Sequence, residues 1–149
     1  MIKIKDMMTR NPRTLLRSNS LQDAKNLMSE HDIRHVPVVD TDNKLLGLVT
    51  QRDILAIQES ILEKDATSSS YTLTTPLEKV MAQGIMTASP KAGLKESAVY
   101  MQKHKVGCLP VLDHGLLVGI ITDTDFVSIA INLLELQEEV EPDEITDFD

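Results

Sequence analysis

The chain is short of the residues that cross-link a protein or give it a large aromatic core. Among its 149 residues there is no tryptophan, and there are two tyrosines and two phenylalanines. Its core must therefore be aliphatic, built from Leu, Ile, Val and Met. A single cysteine, Cys108, excludes an intrachain disulfide and fits a reducing compartment. It lies in the run Val106-Gly-Cys-Leu-Pro-Val111 and reads as a small buried hydrophobe. Apolar stretches such as Val118-Gly-Ile-Ile121 are far too short to cross a bilayer. The opening residues, Met-Ile-Lys-Ile-Lys-Asp-Met-Met, carry charge where a secretory signal needs an apolar segment. The expectation is a cytoplasmic protein with no membrane partner.

The usual catalytic signatures are also missing. There is no Gly-x-x-x-x-Gly-Lys or Gly-x-Gly-x-x-Gly phosphate loop, no His-Glu-x-x-His and no Cys-x-x-Cys. The four histidines, 31, 35, 104 and 114, have no partners at metal-ligand spacing, so no metal is expected. No nucleophile–base pair can be named, which argues against an enzyme. Basic residues stop at Lys105, and eight acids follow from Glu135 onward. Those eight account for the whole net charge of −8, leaving residues 1–134 neutral. An acidic tail repels phosphate backbones, and no basic stripe or helix-turn-helix signal offsets it, so nucleic acid is not expected as a partner.

What the sequence does have is a repeat. At an offset of 73, Met8 falls on Met81, Thr14 on Thr87, Leu21 on Leu94, Met28 on Met101, His31 on His104 and Pro37-Val38 on Pro110-Val111. After Asp40 the offset becomes 72, because the second turn is one residue shorter; Gly47 then falls on Gly119, Thr50 on Thr122 and Asp53 on Asp125. Each copy reads as a helix, a short apolar strand containing Pro, a polar turn, a second apolar strand ending in Thr, and a second helix. Ser20 can cap the first helix, whose Leu21, Ala24, Leu27 and Met28 share a face. The strands are nearly continuously apolar, so both of their faces should be covered, around one shared core. We divide the chain into copy one (1–62), a Ser/Thr-rich linker (63–76), copy two (77–134) and an acidic tail (135–149). The tail should fray from about Pro142.

The motif Gly47-Leu-Val-Thr-Gln-Arg-Asp53 returns as Gly119-Ile-Ile-Thr-Asp-Thr-Asp125. With the leading Met7-Met8-Thr9 and Val80-Met81, this arrangement resembles a tandem pair of CBS (cystathionine-β-synthase-type) domains over residues 1–134. The resemblance implies an α+β fold of two β-α-β-β-α units packed through their sheets in pseudo-two-fold symmetry. It also implies a regulatory module that binds an adenosine compound (AMP, ADP, ATP or a relative) without an obligatory cofactor, and that senses energy state. A homodimer and an unidentified protein effector would be its partners.

Thr-x-x-Asp at a strand-to-helix turn has two meanings. It can be a capping box. It can also hold a nucleotide, because a helix N-terminus offers N–H groups to phosphate and a carboxylate accepts the two ribose hydroxyls. The resemblance places Thr50 and Asp53, and Thr122 and Asp125, in that second role. It adds Thr14 and Thr87, with Val36-Pro37 and Leu109-Pro110, as adenine contacts. Arg34, His35 and Arg52 should make the first of two clefts the more cationic, since the second has Gly107, Cys108 and Thr124 at those places. The alternative is a structural homodimer whose clefts hold nothing. The apolar Leu133, Leu134 and Leu136 suggest a helical dimer surface.

Overall fold

The computed structural model describes residues 1–63 and 71–138. In chain order the elements are α1 (Ile4–Met7), β1 (Thr9–Arg10), β2 (Leu15–Leu16), α2 (Leu21–His31), β3 (His35–Val39), β4 (Leu45–Thr50) and α3 (Gln51–Glu63). A 3-10 turn at Leu77–Lys79 opens the second half, followed by α4 (Leu94–His104), β5 (Cys108–Asp113), β6 (Leu116–Thr122) and α5 (Asp123–Gln137). The architecture is mixed α+β in two repeated units.

Local chemistry explains most element boundaries. Ser20 starts α2 with a reciprocal box: its hydroxyl accepts the Asp23 N–H at 3.1 Å, and the Asp23 carboxylate accepts the Ser20 N–H at 2.9 Å. Those bonds, with one from Asn19, hold the Asp23 carboxyl below its ordinary pKa. Gly93 stands at the same place in copy two and caps nothing with a side chain. The β3–β4 turn is organised by Asp40, whose carboxylate accepts the N–H groups of Asp42 and Lys44, both at 2.9 Å. The shorter β5–β6 turn uses His114 (φ 50°) and Gly115 (φ 81°), the two left-handed residues of a tight hairpin.

β3 and β4 pair antiparallel, Val36 opposite Val49, and β2 joins β3 in parallel. In copy two β5 and β6 pair antiparallel, Leu109 opposite Ile121, and the counterpart of β2 shrinks to one bridge, Ala88 to Val111. The third strand of this second sheet is β1, contributed by the other copy, with Thr9 opposite Ile120. The reverse exchange is a single bridge from Leu48 to Ala82.

The two copies thus trade their leading segments. Ile4 is fully buried among Leu94, Met101, Leu109, Val111 and Ile121 of copy two. Leu77 is fully buried among Leu21, Met28, Val36, Val38 and Val49 of copy one. The backbone anchors match as well. The Ile4 N–H donates to the Ala92 carbonyl at 2.9 Å, and the Leu77 N–H donates to the Asn19 carbonyl at 2.8 Å. Each anchor residue is the counterpart of the other under the 73-residue shift.

The exchange accounts for the glycine of each Gly-x-x-Thr motif. A Cβ on Gly47 would lie 2.7 Å from the Met81 sulfur and 2.8 Å from the Ala82 carbonyl oxygen. A Cβ on Gly119 would strike the Met8 sulfur and sit 3.0 Å from the Thr9 carbonyl oxygen. Only glycine lets the incoming chain pass.

The expected single core is replaced by three clusters. Each copy has its own, closed by the other's leading segment, and a small third cluster of Leu48, Cys108 and Ile120 joins the sheets. α2 packs on β3 and α4 on β5, so each copy keeps a core of its own between its helix and its sheet. The linker also departs from a free connection: Leu73 and Thr75 accept backbone hydrogen bonds from Gln22 and Leu21 at 2.9 and 3.1 Å. α5 runs into the acidic stretch as far as Gln137. The expected fraying from Pro142 lies outside the described residues.

α3 and α5 present apolar side chains outward. Leu55, Val127, Ile131, Leu133, Leu134 and Leu136 are all at least half exposed, and no residue of α5 is buried. No helix among the described residues is long and apolar enough to cross a membrane.

Candidate functional site

A cleft of about 930 Å³ opens along the junction of the two copies, within the size range of small-molecule sites. One wall is the first turns of α3: Arg52, Leu55, Ala56 and Glu59 recur at helical spacing, with Thr50 at the corner. The opposite wall is Ile85, Met86 and the approach to β5, from Lys105 to Pro110. Arg34 and His35 enter from β3, and Asp123 from the start of α5.

This departs from the expected assignment of Arg34, His35 and Arg52 to a first, more cationic cleft and of Gly107 and Cys108 to a second. Arg34, His35 and Arg52 line the same cavity as Gly107 and Cys108. The reason is the pseudo-two-fold relation, which sets the starts of β3 and β5 face to face. A Cβ on Gly107 would lie 2.8 Å from the His35 ring nitrogen Nε2. A side chain there would push the histidine out, so Gly107, the sequence equivalent of Arg34, is the packing partner of His35.

Of the site residues expected from the sequence, Arg34, His35, Thr50, Arg52, Leu109 and Pro110 meet in this cleft. Thr14, Thr87, Asp53, Thr122 and Asp125 do not line it, and Val36 and Pro37 are fully buried in the core of copy one. Thr87 follows the lining residue Met86. Lys105, Glu59 and Asp123 complete the lining. Lys105, which the sequence marked only as the last basic residue, closes α4 in the left-handed conformation (φ 54°), as its counterpart Asp32 closes α2.

Both Thr-x-x-Asp motifs form capping boxes. The Asp53 N–H donates to Thr50 Oγ1 at 3.2 Å, and the Thr50 N–H donates to Asp53 Oδ2 at 3.1 Å. In copy two the matching distances are 3.1 and 2.9 Å. The second oxygens differ. Asp125 Oδ1 accepts the Thr9 hydroxyl at 3.4 Å. The counterpart of Thr9 is Ala82, which has no hydroxyl to give Asp53.

The helix N-termini have few donors left for a phosphate. In α3 the Gln51 N–H is taken by the Arg34 carbonyl at 2.9 Å and the Asp53 N–H by Thr50, which leaves Arg52. In α5 all three are taken: Asp123 by the Gly107 carbonyl at 2.9 Å, Thr124 by the Asp123 carboxylate at 2.8 Å and Asp125 by Thr122. Any anion in the cleft must therefore be held mainly by side chains.

The electrostatics of the cleft are mixed. Arg34 reaches across the junction, donating to Thr124 Oγ1 at 3.0 Å and lying 3.9 Å from the Asp123 carboxylate. Arg52 and Lys105 have no ion pair among the described residues. Burial holds the His35 pKa below its ordinary value and Arg34 adds to that, while Asp123 and Asp53 pull it up. The net shift is downward, so His35 is neutral at pH 7, which corrects its expected role as a cation. Burial, reinforced by Asp123, pushes the Cys108 thiol up to about 12. It is a small apolar wall residue, as its sequence setting indicated. No group of His, Cys, Asp or Glu among the described residues could hold a metal ion.

The CBS domain family matches residues 4–60 and 77–132, and the chain belongs to that family with two copies. Its fold is that of solved CBS domain pairs. A Vibrio cholerae protein named AcuB, provisionally assigned to acetoin utilization, is 63% identical with TM-score 0.80, over 95% of this chain and 99% of that one. CBSX2 in complex with AMP is 28% identical with TM-score 0.77, over 90% and 99% of the two chains. The CBS domain pair of MJ0100 in complex with 5'-methylthioadenosine and S-adenosyl-L-methionine is 25% identical with TM-score 0.77, over 89% and 98%. Among curated relatives, the match to homoserine O-acetyltransferase of Methanococcus vannielii is 31% identical over 80% of this chain but spans only 23% of that enzyme. The match to the CBS domain-containing protein YhcV of Bacillus subtilis is also 31% identical, over 81% of this chain and 80% of that protein.

Proposed function

We propose that this chain is a regulatory module that binds an adenosine-containing ligand in the junction cleft and passes the binding event to a protein partner. The observation that carries the reading is the cleft itself. It combines an apolar patch (Ile85, Met86, Leu109-Pro110) with Arg34, Arg52 and Lys105 within one cavity of about 930 Å³. The adenine lies on the patch beside Thr87. Arg34 and Arg52 take the phosphate or carboxylate end. Thr50 serves the phosphate from the cleft corner, and Asp53, held behind it by their capping box and outside the lining, turns to the ribose the oxygen not used in its cap once the ligand is seated. Thr14, Thr122 and Asp125 belong to the pseudo-symmetric side. There Thr9 and the self-cap of Asp123 occupy the groups a second nucleotide would need. The complexes of CBSX2 with AMP and of the MJ0100 pair with adenosyl compounds support this class of ligand.

The apolar faces of α3 and α5 pair two chains into a homodimer in this reading, and ligand binding shifts the population between two dimer shapes. The kinship with AcuB points to a role in acetoin utilization, with the module reporting adenylate or adenosyl status to proteins of that process. A thermal-shift panel of AMP, ADP, ATP, S-adenosylmethionine and NAD tests the reading, because a ligand bound only by the folded state raises Tm. Asp53→Asn should then weaken the bound compound by about tenfold to hundredfold in calorimetry, as expected for lost hydrogen bonds to a charged group.

The second reading is a structural homodimer with nothing in its cleft. The complete capping boxes favour it, since they give both Thr-x-x-Asp motifs a role without a ligand. A flat thermal-shift panel, with a dimer in light scattering, would select this reading.

A further inference from the structure

We infer that Asp123 is the charge selector of the cleft, setting it to accept adenosine ligands of low net charge and to reject the triphosphate. The inference rests on the adenosine reading above and goes further by naming what sets ligand charge.

Three positive side chains face the cavity, Arg34, Arg52 and Lys105, against two negative ones, Asp123 and Glu59. His35 adds nothing at neutral pH. The lining is therefore only slightly cationic, enough for one phosphate or one carboxylate. Asp123 is the acid best placed to matter. Its Oδ1 accepts the Thr124 N–H at 2.8 Å, so its charge sits at the N-terminus of α5, where a phosphate would otherwise go. The same atom lies 3.9 Å from the Arg34 guanidinium, which also donates to Thr124 Oγ1. Asp123 and Thr124 together hold Arg34 across the junction. An entering anion must share Arg34 with Asp123 and bear repulsion from its carboxylate. One negative charge on the ligand meets that repulsion once, and a triphosphate several times over. Copy one has the neutral Gln51 at the position equivalent to Asp123, so the acid that the α3 wall brings to the cleft is Glu59, two turns further on. The selector is thus a one-sided feature of a symmetric fold.

The test is calorimetry of the full chain with AMP, ADP and ATP, without divalent cations, which would neutralise the triphosphate. Wild type should bind AMP more tightly than ATP. Asp123→Asn keeps an oxygen for the Thr124 N–H while removing the charge. It should tighten ATP by roughly tenfold and AMP by less, as a charge a few ångströms from the phosphates predicts near a protein surface. Glu59→Gln, at an exposed helical position, should shift the ratio the same way by a smaller factor, and it serves if Asp123→Asn does not fold. Wild type that prefers ATP, or an ATP-to-AMP ratio unmoved by either variant, overturns the selector while leaving the adenosine reading intact. Absence of binding by all three nucleotides, and by S-adenosylmethionine, overturns both.

Discussion

The two copies repeat even their backbone irregularities. Asn11 and Gly84 take the same left-handed conformation (φ 47° and 63°), as do Asp32 and Lys105 (φ 51° and 54°). Ile4 and Leu77 fill the same hole in opposite copies. The copies part at the junction: Arg34, His35 and Arg52 on one side, Gly107, Cys108 and Thr124 on the other. The comparison separates two demands. Positions that face a core or receive the exchanged segment must match, because each copy completes its partner in the same way. Positions at the pseudo-axis meet residues of the other copy that are not their own counterparts, His35 against Gly107 and Arg34 against Asp123, and have to be complementary instead. A histidine needs a glycine opposite it, and an arginine needs an aspartate.

Breaking the exchange should have the largest effect. Ile4→Ala and Leu77→Ala each remove a fully buried aliphatic side chain, and each should cost about 2–5 kcal/mol, measured by urea unfolding. The sharper result is where the loss falls. Ile4→Ala should raise amide exchange in β5 and β6, within the other copy, and Leu77→Ala should do so in β3 and β4. If each variant loosens its own copy instead, the exchange is not what closes the cores.

Next come the crossing glycines. Gly47→Ala and Gly119→Ala should each cost about 1–3 kcal/mol through overpacking. Gly47 should be the worse, because its Cβ would press on a backbone oxygen at 2.8 Å rather than 3.0 Å. Paired melts of the two variants check the order.

The caps should be nearly equal in stability and unequal in function. Thr50→Ala and Thr122→Ala each lose one N-cap bond, worth about 1 kcal/mol. Only Thr50 lines the cleft, so nucleotide affinity should fall in Thr50→Ala and hold in Thr122→Ala. Equal affinity losses would mean that the two sides of the junction are not functionally distinct.

The smallest effect separates His35 from Cys108, its counterpart, by pH. The folded pKa of His35 lies below the ordinary 6.5 of the unfolded chain. Between those two values the unfolded state binds more protons, so stability falls as pH drops below about 6.5 and is level above it. Melting temperatures from pH 7.5 to 5 should show that slope in wild type and a flatter one in His35→Gln. Cys108, with its thiol pushed up to about 12, should contribute nothing there and should react slowly with thiol reagents at pH 8.

The linear pattern was sufficient for the repeat, the element order and the capping boxes. Each of these rests on interactions within a few residues: Ser20 with Asp23, Thr50 with Asp53, Asp40 with Lys44, and the stripe Leu21, Ala24, Met28. It also brought forward Arg34, His35 and Arg52 through the difference between the copies, and Thr50, Leu109 and Pro110 through a resemblance, with no geometry in either. Tertiary structure alone decided which copy each segment completes. Ile4 and Leu77 are ordinary aliphatic residues in sequence, and their exchange depends on where the chain goes after them. It decided that Arg34 and Gly107 share one cleft, since residues 73 apart meet only through the pseudo-axis. It also decided the charge of His35, because burial and the fields of Asp123 and Arg34 are set by neighbours distant along the chain.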